Sequence, residues 1–164
     1  SVIAMYVRRI TPVPFKILTK DDDNDLAVLE APELKDMPSL EISGNVPKIG
    51  DTVESMGYAL GDELVHFWGR VGSREVALED TDERTGKTVS HPIIKVGATA
   101  IPGMSGGPVL NDAGKVVGVT EIAWPASPVM PVGAMNFFIP SHSVLDIIKK
   151  ANEQPTQSET DVKL

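Results

Sequence analysis

The residues most able to do chemistry lie together in Ile101-Pro102-Gly103-Met104-Ser105-Gly106-Gly107-Pro108-Val109-Leu110. A serine set among three glycines and two prolines has a backbone free to turn its amides toward a common point while its hydroxyl stays exposed. Acyl transfer needs that arrangement. The hydroxyl oxygen attacks a carbonyl, and nearby backbone N–H groups meet the developing oxyanion, each donor worth roughly 3–4 kcal/mol in measured cases. Ser105 is the candidate nucleophile, with the amides of Gly103 and Ser105 as the donors. On glycine content alone, a turn that merely joins two strands accounts for the stretch equally well.

Gly103–Gly107 also matches G-x-S-x-G, a nucleophile elbow, which requires a helix directly after the serine. Gly106-Gly107-Pro108 would break such a helix, and Val109–Leu110 continues as strand. The elbow is therefore disfavoured.

The rest of the chain narrows the classes open to it. At 164 residues and 17.6 kDa it fits one domain, or one domain with part of another. Hydrophobic residues at 41% and charged residues at 23%, with 14 Gly and 13 Pro, make a globular composition. A net charge of −8 argues against a nonspecific grip on nucleic acid or anionic lipid. No apolar run approaches the roughly 20 residues of a membrane span, so membrane insertion is not expected. With no cysteine, disulfides, thiolate nucleophiles and Cys-based zinc sites are excluded. Three histidines, His66, His91 and His142, fall at no metal-ligand spacing, and neither metal nor cofactor is expected. The first residue is Ser1 with no leader-like stretch before it, so a natural start and any targeting signal are expected to be missing or removed.

The elements that must position Ser105 read as mostly β, because apolar residues alternate and β-branched residues are punctuated by Gly and Pro. Strands are expected at Ser1–Arg8, Phe15–Thr19, Leu26–Glu30, Asp51–Tyr58, Glu63–Gly69, Val71–Ala77, Thr88–Val96, Pro108–Leu110, Val116–Ile122 and Ala134–Ile139. Asn111-Asp112-Ala113-Gly114 supplies a tight turn. One helix begins at Ser141-His142-Ser143, where Ser141 or Ser143 could cap it, with Val144, Leu145, Ile147 and Ile148 as its apolar stripe and Lys149 and Lys150 at its end. The tail Glu153–Leu164 is polar and aperiodic.

The same motifs resemble the trypsin-like serine endopeptidases of the chymotrypsin fold, and within them the cysteine-free HtrA/Deg type. Asn24-Asp25-Leu26-Ala27-Val28-Leu29 looks like the family's segment around its catalytic aspartate. Lys48–Val53 with Met56-Gly57-Tyr58 resembles the start of the second barrel, Gly69–Ser73 its second hairpin, Pro102–Leu110 the nucleophile loop, Gly114–Val119 the following strand, and Asn136–Ser141 the last strand. The resemblance implies a double β-barrel with a complete second barrel, a partial first barrel and a C-terminal helix. It divides the chain into 1–30, first-barrel remnant; 31–46, connector; 47–140, second barrel; 141–152, helix; and 153–164, tail.

It also implies that Ser105 is the nucleophile, that Gly103 and Ser105 form the oxyanion hole, and that Asp25 orients a histidine base. Asp25 directly precedes the alternating Leu26–Leu29 strand and is expected at an interior edge, with Asp21–Asp23 solvated. The family's histidine lies upstream of that aspartate, and nothing upstream of Asp25 is a histidine. His66 is expected on a strand face, His91 in extended or turn backbone before Pro92, and His142 at the surface near the helix start; none matches the base. Two readings follow: an endopeptidase whose catalytic histidine is missing from these residues, or an inactive peptide-binding module.

By resemblance the substrate pocket is lined by Thr99, Ala100, Ile101, Thr120, Glu121 and Ile122, with Ala134–Phe137. The absence of an acid at Thr99 predicts a small or medium apolar preference, while Glu121 faces either inward or outward. The implied partner is a polypeptide substrate, with homo-oligomerisation allowed, in an extracytoplasmic compartment.

Overall fold

The computed structural model describes residues 13–59, 63–81, 86–98, 101–122 and 136–153. The expected strand at Ser1–Arg8 and the tail after Glu153 lie outside them. In chain order come β1 (Lys16–Asp21), β2 (Leu26–Glu30), a 3-10 turn at Pro32–Leu34, β3 (Thr52–Ala59), β4 (Glu63–Val71), β5 (Val76–Thr81), β6 (Thr88–Gly97), β7 (Pro108–Leu110), β8 (Val116–Ile122), β9 (Asn136–Pro140) and α1 (Ser141–Glu153).

The strands form a sheet in the order β4-β3-β7-β8-β9-β6-β5, and a further pairing of β4 with β6 closes it. Arg70 lies opposite Gly97 and Val71 opposite Val96 across that seam. β3, β4 and β6 to β9 therefore make a closed six-stranded barrel, which removes the free edges an open sheet would expose. Inward-facing Val53, Val71, Ile94, Val96, Val109, Val117 and Phe138 form its core. Full burial of each such side chain is worth about 1.5–3 kcal/mol. Gly118 is required by that core, since a Cβ there would lie 2.2 Å from Phe138 Cδ2 and 2.4 Å from the Ile139 carbonyl oxygen.

The expected strand over Val71–Ala77 divides. Val71 closes the barrel as the last residue of β4, after which the Gly72 N–H donates to Lys95 O and the Lys95 N–H to Ser73 Oγ. The chain re-enters the sheet only at Val76, opposite Ile93. The Asn111–Gly114 turn forms as expected, with the Gly114 N–H donating to Asn111 O and the Ala113 and Lys115 N–H groups to Asn111 Oδ1.

Among the described residues β1 and β2 pair only with each other, as a hairpin separate from the barrel. Ile17 lies opposite Leu29, and Phe15, Ile17 and Leu29 are exposed. α1 packs against this hairpin and against β8 and β9, burying Val144 and Ile147 but leaving Leu145 exposed. Neither serine caps it: Ser141 Oγ is buried without a partner, and Ser143 Oγ meets the His142 ring at 3.4 Å. At the helix end Lys150 Nζ donates to Asp21 Oδ2 at 3.1 Å, tying the β1–β2 hairpin to the helix.

Candidate active site

Two consecutive turns shape the loop that carries Ser105. In the first, Pro102 and Gly103 occupy the central positions, Gly103 has φ 96°, and the Met104 N–H donates to Ile101 O. This is a type II turn, whose third position needs positive φ and so selects glycine. In the second, Ser105 and Gly106 are central, Gly106 has φ 84°, and the Gly107 N–H donates to Met104 O at 3.0 Å. The turns use the amides of Met104 and Gly107. Those of Gly103 and Ser105 donate to no acceptor among the described residues.

The loop is held on both flanks. On one, the Gly106 N–H donates to Thr120 O and the Thr120 N–H to Gly107 O, both at 2.8 Å. On the other, fully buried Met104 seats against Gly57 of β3, where a Cβ would come within 2.8 Å of Met104 Cα. Gly107 approaches the Met56 carbonyl oxygen so closely that a Cβ would lie 2.0 Å from it. Anchored at Met104, the loop leaves Ser105 exposed, with no hydrogen-bond partner for its hydroxyl among the described residues.

No histidine reaches Ser105, because each is held by a glutamate. His66 Nδ1 lies 2.5 Å from Glu54 Oε1, and its ring stacks on Trp68. His142 Nε2 lies 2.7 Å from Glu75 Oε2. His91, in β6 and buried, lies 2.8 Å from Glu121 Oε2 through Nε2, while its Nδ1 is buried without a partner.

The acids at the β1–β2 turn differ from expectation. Asp25 is exposed, has left-handed backbone at φ 49° and makes no contact with a partner among the described residues. Asp21 is the inward one. It accepts from Lys150 and Asn24 because it closes the turn against α1. Burial raises the Asp21 pKa, but the bonds from Lys150 and Asn24 together outweigh it and hold the carboxyl below its ordinary value.

A family model described as a trypsin-like peptidase domain matches residues 6–119. The chain belongs to the trypsin-like peptidases. It is 31% identical over 138 residues to the serine protease Do-like HtrA of Lactococcus lactis subsp. cremoris, covering 79% of this chain and 33% of that protein. The serine protease Do-like HtrB of Bacillus subtilis is 32% identical over 139 residues, covering 81% and 29%. The chain thus spans about a third of the length of these relatives. Among solved structures, the active form of the Rv3671c protease of M. tuberculosis aligns with TM-score 0.74 at 23% identity, over 93% of this chain and 65% of that one. The HtrA-type protease AlgW, solved with a decapeptide, aligns with TM-score 0.67 at 22% identity, over 87% and 41%. Those likenesses establish the chymotrypsin-type double barrel as the fold, in an HtrA/Deg-like member of the family.

Within this trypsin-like frame the expected pocket residues separate. Thr99, Ala100 and Ala134 lie outside the described residues. Ile101 is half-buried, Thr120 is buried, and Ile122 ends β8. Thr120 Oγ1 and the Asn136 side-chain amide nitrogen are both buried without partners. They occupy neighbouring rows, Thr120 opposite Phe138 and Asn136 opposite Ile122. The orientation left open for Glu121 is resolved by its bond to His91. Sequence reasoning missed that pair, and it missed the connector residues Met37–Leu40 that come up beside Ser105. Neither has a local signal: His91 and Glu121 are 30 residues apart.

Proposed function

We propose that the chain is the nucleophile-bearing part of a serine endopeptidase that cleaves peptide bonds through an acyl-enzyme at Ser105. The observation that carries this reading is the pair of unused amides, Gly103 and Ser105, that flank buried Met104 beside an exposed, unbonded serine hydroxyl. Ser105 Oγ attacks the scissile carbonyl, and the oxyanion takes hydrogen bonds from Gly103 and Ser105. The leaving amine carries away the proton that the base removed from Ser105, and water then resolves the ester. Asp25 orients a histidine supplied from outside these residues, and its exposure leaves it accessible to one. The acyl side of the peptide lies along Ile101 and Thr120–Ile122, and a small or medium apolar residue precedes the cut.

A second reading, a noncatalytic peptide-binding module, is favoured by the engagement of all three histidines with glutamates. A fluorophosphonate reagent, with the adduct mapped by mass spectrometry on the native-length protein, separates the two. Stoichiometric modification at Ser105 alone is expected. An unmodified Ser105 would defeat the endopeptidase reading and leave the binding module.

A further inference from the structure

Asp25 holds a backbone conformation that its own side chain does nothing to support. Its φ of 49° is left-handed, the one such value outside glycine among the described residues, and its carboxylate is exposed with no partner there. Aspartate tolerates that region better than most residues, but only glycine adopts it without steric cost. A strained residue persists where its neighbours over-determine it, and such residues cluster where chemistry is done.

The neighbours that fix Asp25 converge on Asp21. β1 and β2 leave their ladder at the Asp21–Leu26 pair, and three bonds from Asn24 to Asp21 close the turn between them. The Asn24 N–H donates to Asp21 O and Oδ1, both at 3.2 Å, and Asn24 Nδ2 donates to Asp21 Oδ2 at 3.1 Å. Asp25 follows directly and leads the chain into β2. The same Oδ2 accepts from Lys150 Nζ at 3.1 Å, so turn and helix share one oxygen. A second tie, Lys87 Nζ to Asp23 Oδ1 at 3.0 Å, joins two largely exposed side chains, where solvent leaves little of the attraction. Asp21 is partly buried, and its ion pair is screened less.

The helix matters because Asp25 and Ser105 belong to separate sheets, with no strand pairing between them among the described residues. α1 packs against both, on β1 and β2 and on β8 and β9, and Thr120 of β8 holds the loop that carries Ser105. We propose that Asp21 and Lys150 are positioning residues for the reaction at Ser105: their ion pair pins the β1–β2 turn to α1 and so sets where the Asp25 carboxylate meets the base. This assignment rests on Ser105 as nucleophile and Asp25 as the acid beside its base. Such an acid works by orientation, and a misplacement of about 1 Å can cost about a hundredfold in rate.

The rate of fluorophosphonate modification at Ser105 in the native-length protein is the test. Lys150→Met, which keeps the stem and removes the charge, and Asp21→Asn should each slow it by about ten- to a hundredfold, whereas Lys150→Arg should stay within about threefold of the parent. Lys149→Met, a change at an exposed neighbour paired with Glu153, should leave the rate unchanged. Asp25→Asn should slow it by about 10⁴-fold. Adding Lys150→Met to that variant should cost nothing further, because both changes act through one carboxylate.

A general loss of structure would slow the reaction equally in both backgrounds, which overturns the proposal. Lys150→Met and Asp21→Asn proteins that react like the parent while Asp25→Asn is slow also overturn it, and leave Asp25 and Ser105 in their roles. An Asp25→Asn protein as reactive as the parent, or no adduct at Ser105 in any of them, removes those roles and the proposal with them.

Discussion

Gly107→Ala is the substitution that most sharply tests how the loop carrying Ser105 is held. Gly107 has no positive φ, so alanine meets no backbone strain there, and the whole effect comes from contact. The new Cβ would lie 2.0 Å from Met56 O and 3.0 Å from Met104 O, both of them backbone atoms that no rotamer change can move. The loop must lift off β3, and the bonds joining Gly106 and Gly107 to Thr120 stretch with it. Overpacking costs typically 1–3 kcal/mol, and two weakened hydrogen bonds add about 1 kcal/mol each when fully lost. A loss of about 3 kcal/mol is expected, which for a chain of this size lowers Tm by roughly 6–12 °C. Gly44→Ala is the control, because Gly44 has no positive φ and nothing within 4 Å of its Cβ position; it should change stability by less than about 1 kcal/mol. Urea titrations of both variants give the energies, and the rate of phosphonate formation at Ser105 reads the loop geometry. If Gly107→Ala matched Gly44→Ala in stability and left that rate unchanged, the close approach of the loop to β3 would be refuted.

Other outcomes follow from the same structure. Gly106→Ala meets no atoms within 4 Å but inherits φ 84°, so it should cost about 1–2 kcal/mol by strain alone and slow Ser105 modification, as read by urea titration and adduct kinetics. Glu121→Leu strips His91 of its partner while the ring stays buried, and should destabilise by about 1–3 kcal/mol in chemical denaturation. Asp21 has a depressed folded-state pKa, so its contribution is present above the unfolded value of about 3.9 and is lost as pH falls through the folded one. Because Lys150 is largely exposed, that contribution should be at most about 1 kcal/mol. Asp21→Asn should therefore lower stability at pH 7 and flatten its decline below about pH 5 in thermal melts.

Local pattern reached most of the barrel because alternation fixes strand faces, and β2, β7 and β8 fall where Leu26–Glu30, Pro108–Leu110 and Val116–Ile122 place them. The Pro-Gly and Ser-Gly pairs likewise announce the two turns around Met104, since each puts glycine where positive φ is needed. What eluded the sequence depends on distant partners. Val71 ends a strand only because Val96 lies opposite it. Asp21 rather than Asp25 turns inward because Lys150, 129 residues away, comes to meet it. The serines at the start of α1 look like caps, yet one is buried and the other faces a histidine. Likewise, Met37–Leu40 come up beside Ser105 only because the connector folds back across β3.

The central claim is that the Gly103 and Ser105 amides wait unbonded for an oxyanion at Ser105. Nitrogen-15 NMR of the native-length protein, before and after modification with a fluorophosphonate, tests it most directly. The account predicts an adduct on Ser105 whose phosphoryl oxygen moves the Gly103 and Ser105 amide protons downfield, while that of Met104, already bonded to Ile101, stays in place. An adduct that leaves both amides unmoved, or none forming at Ser105, would contradict it.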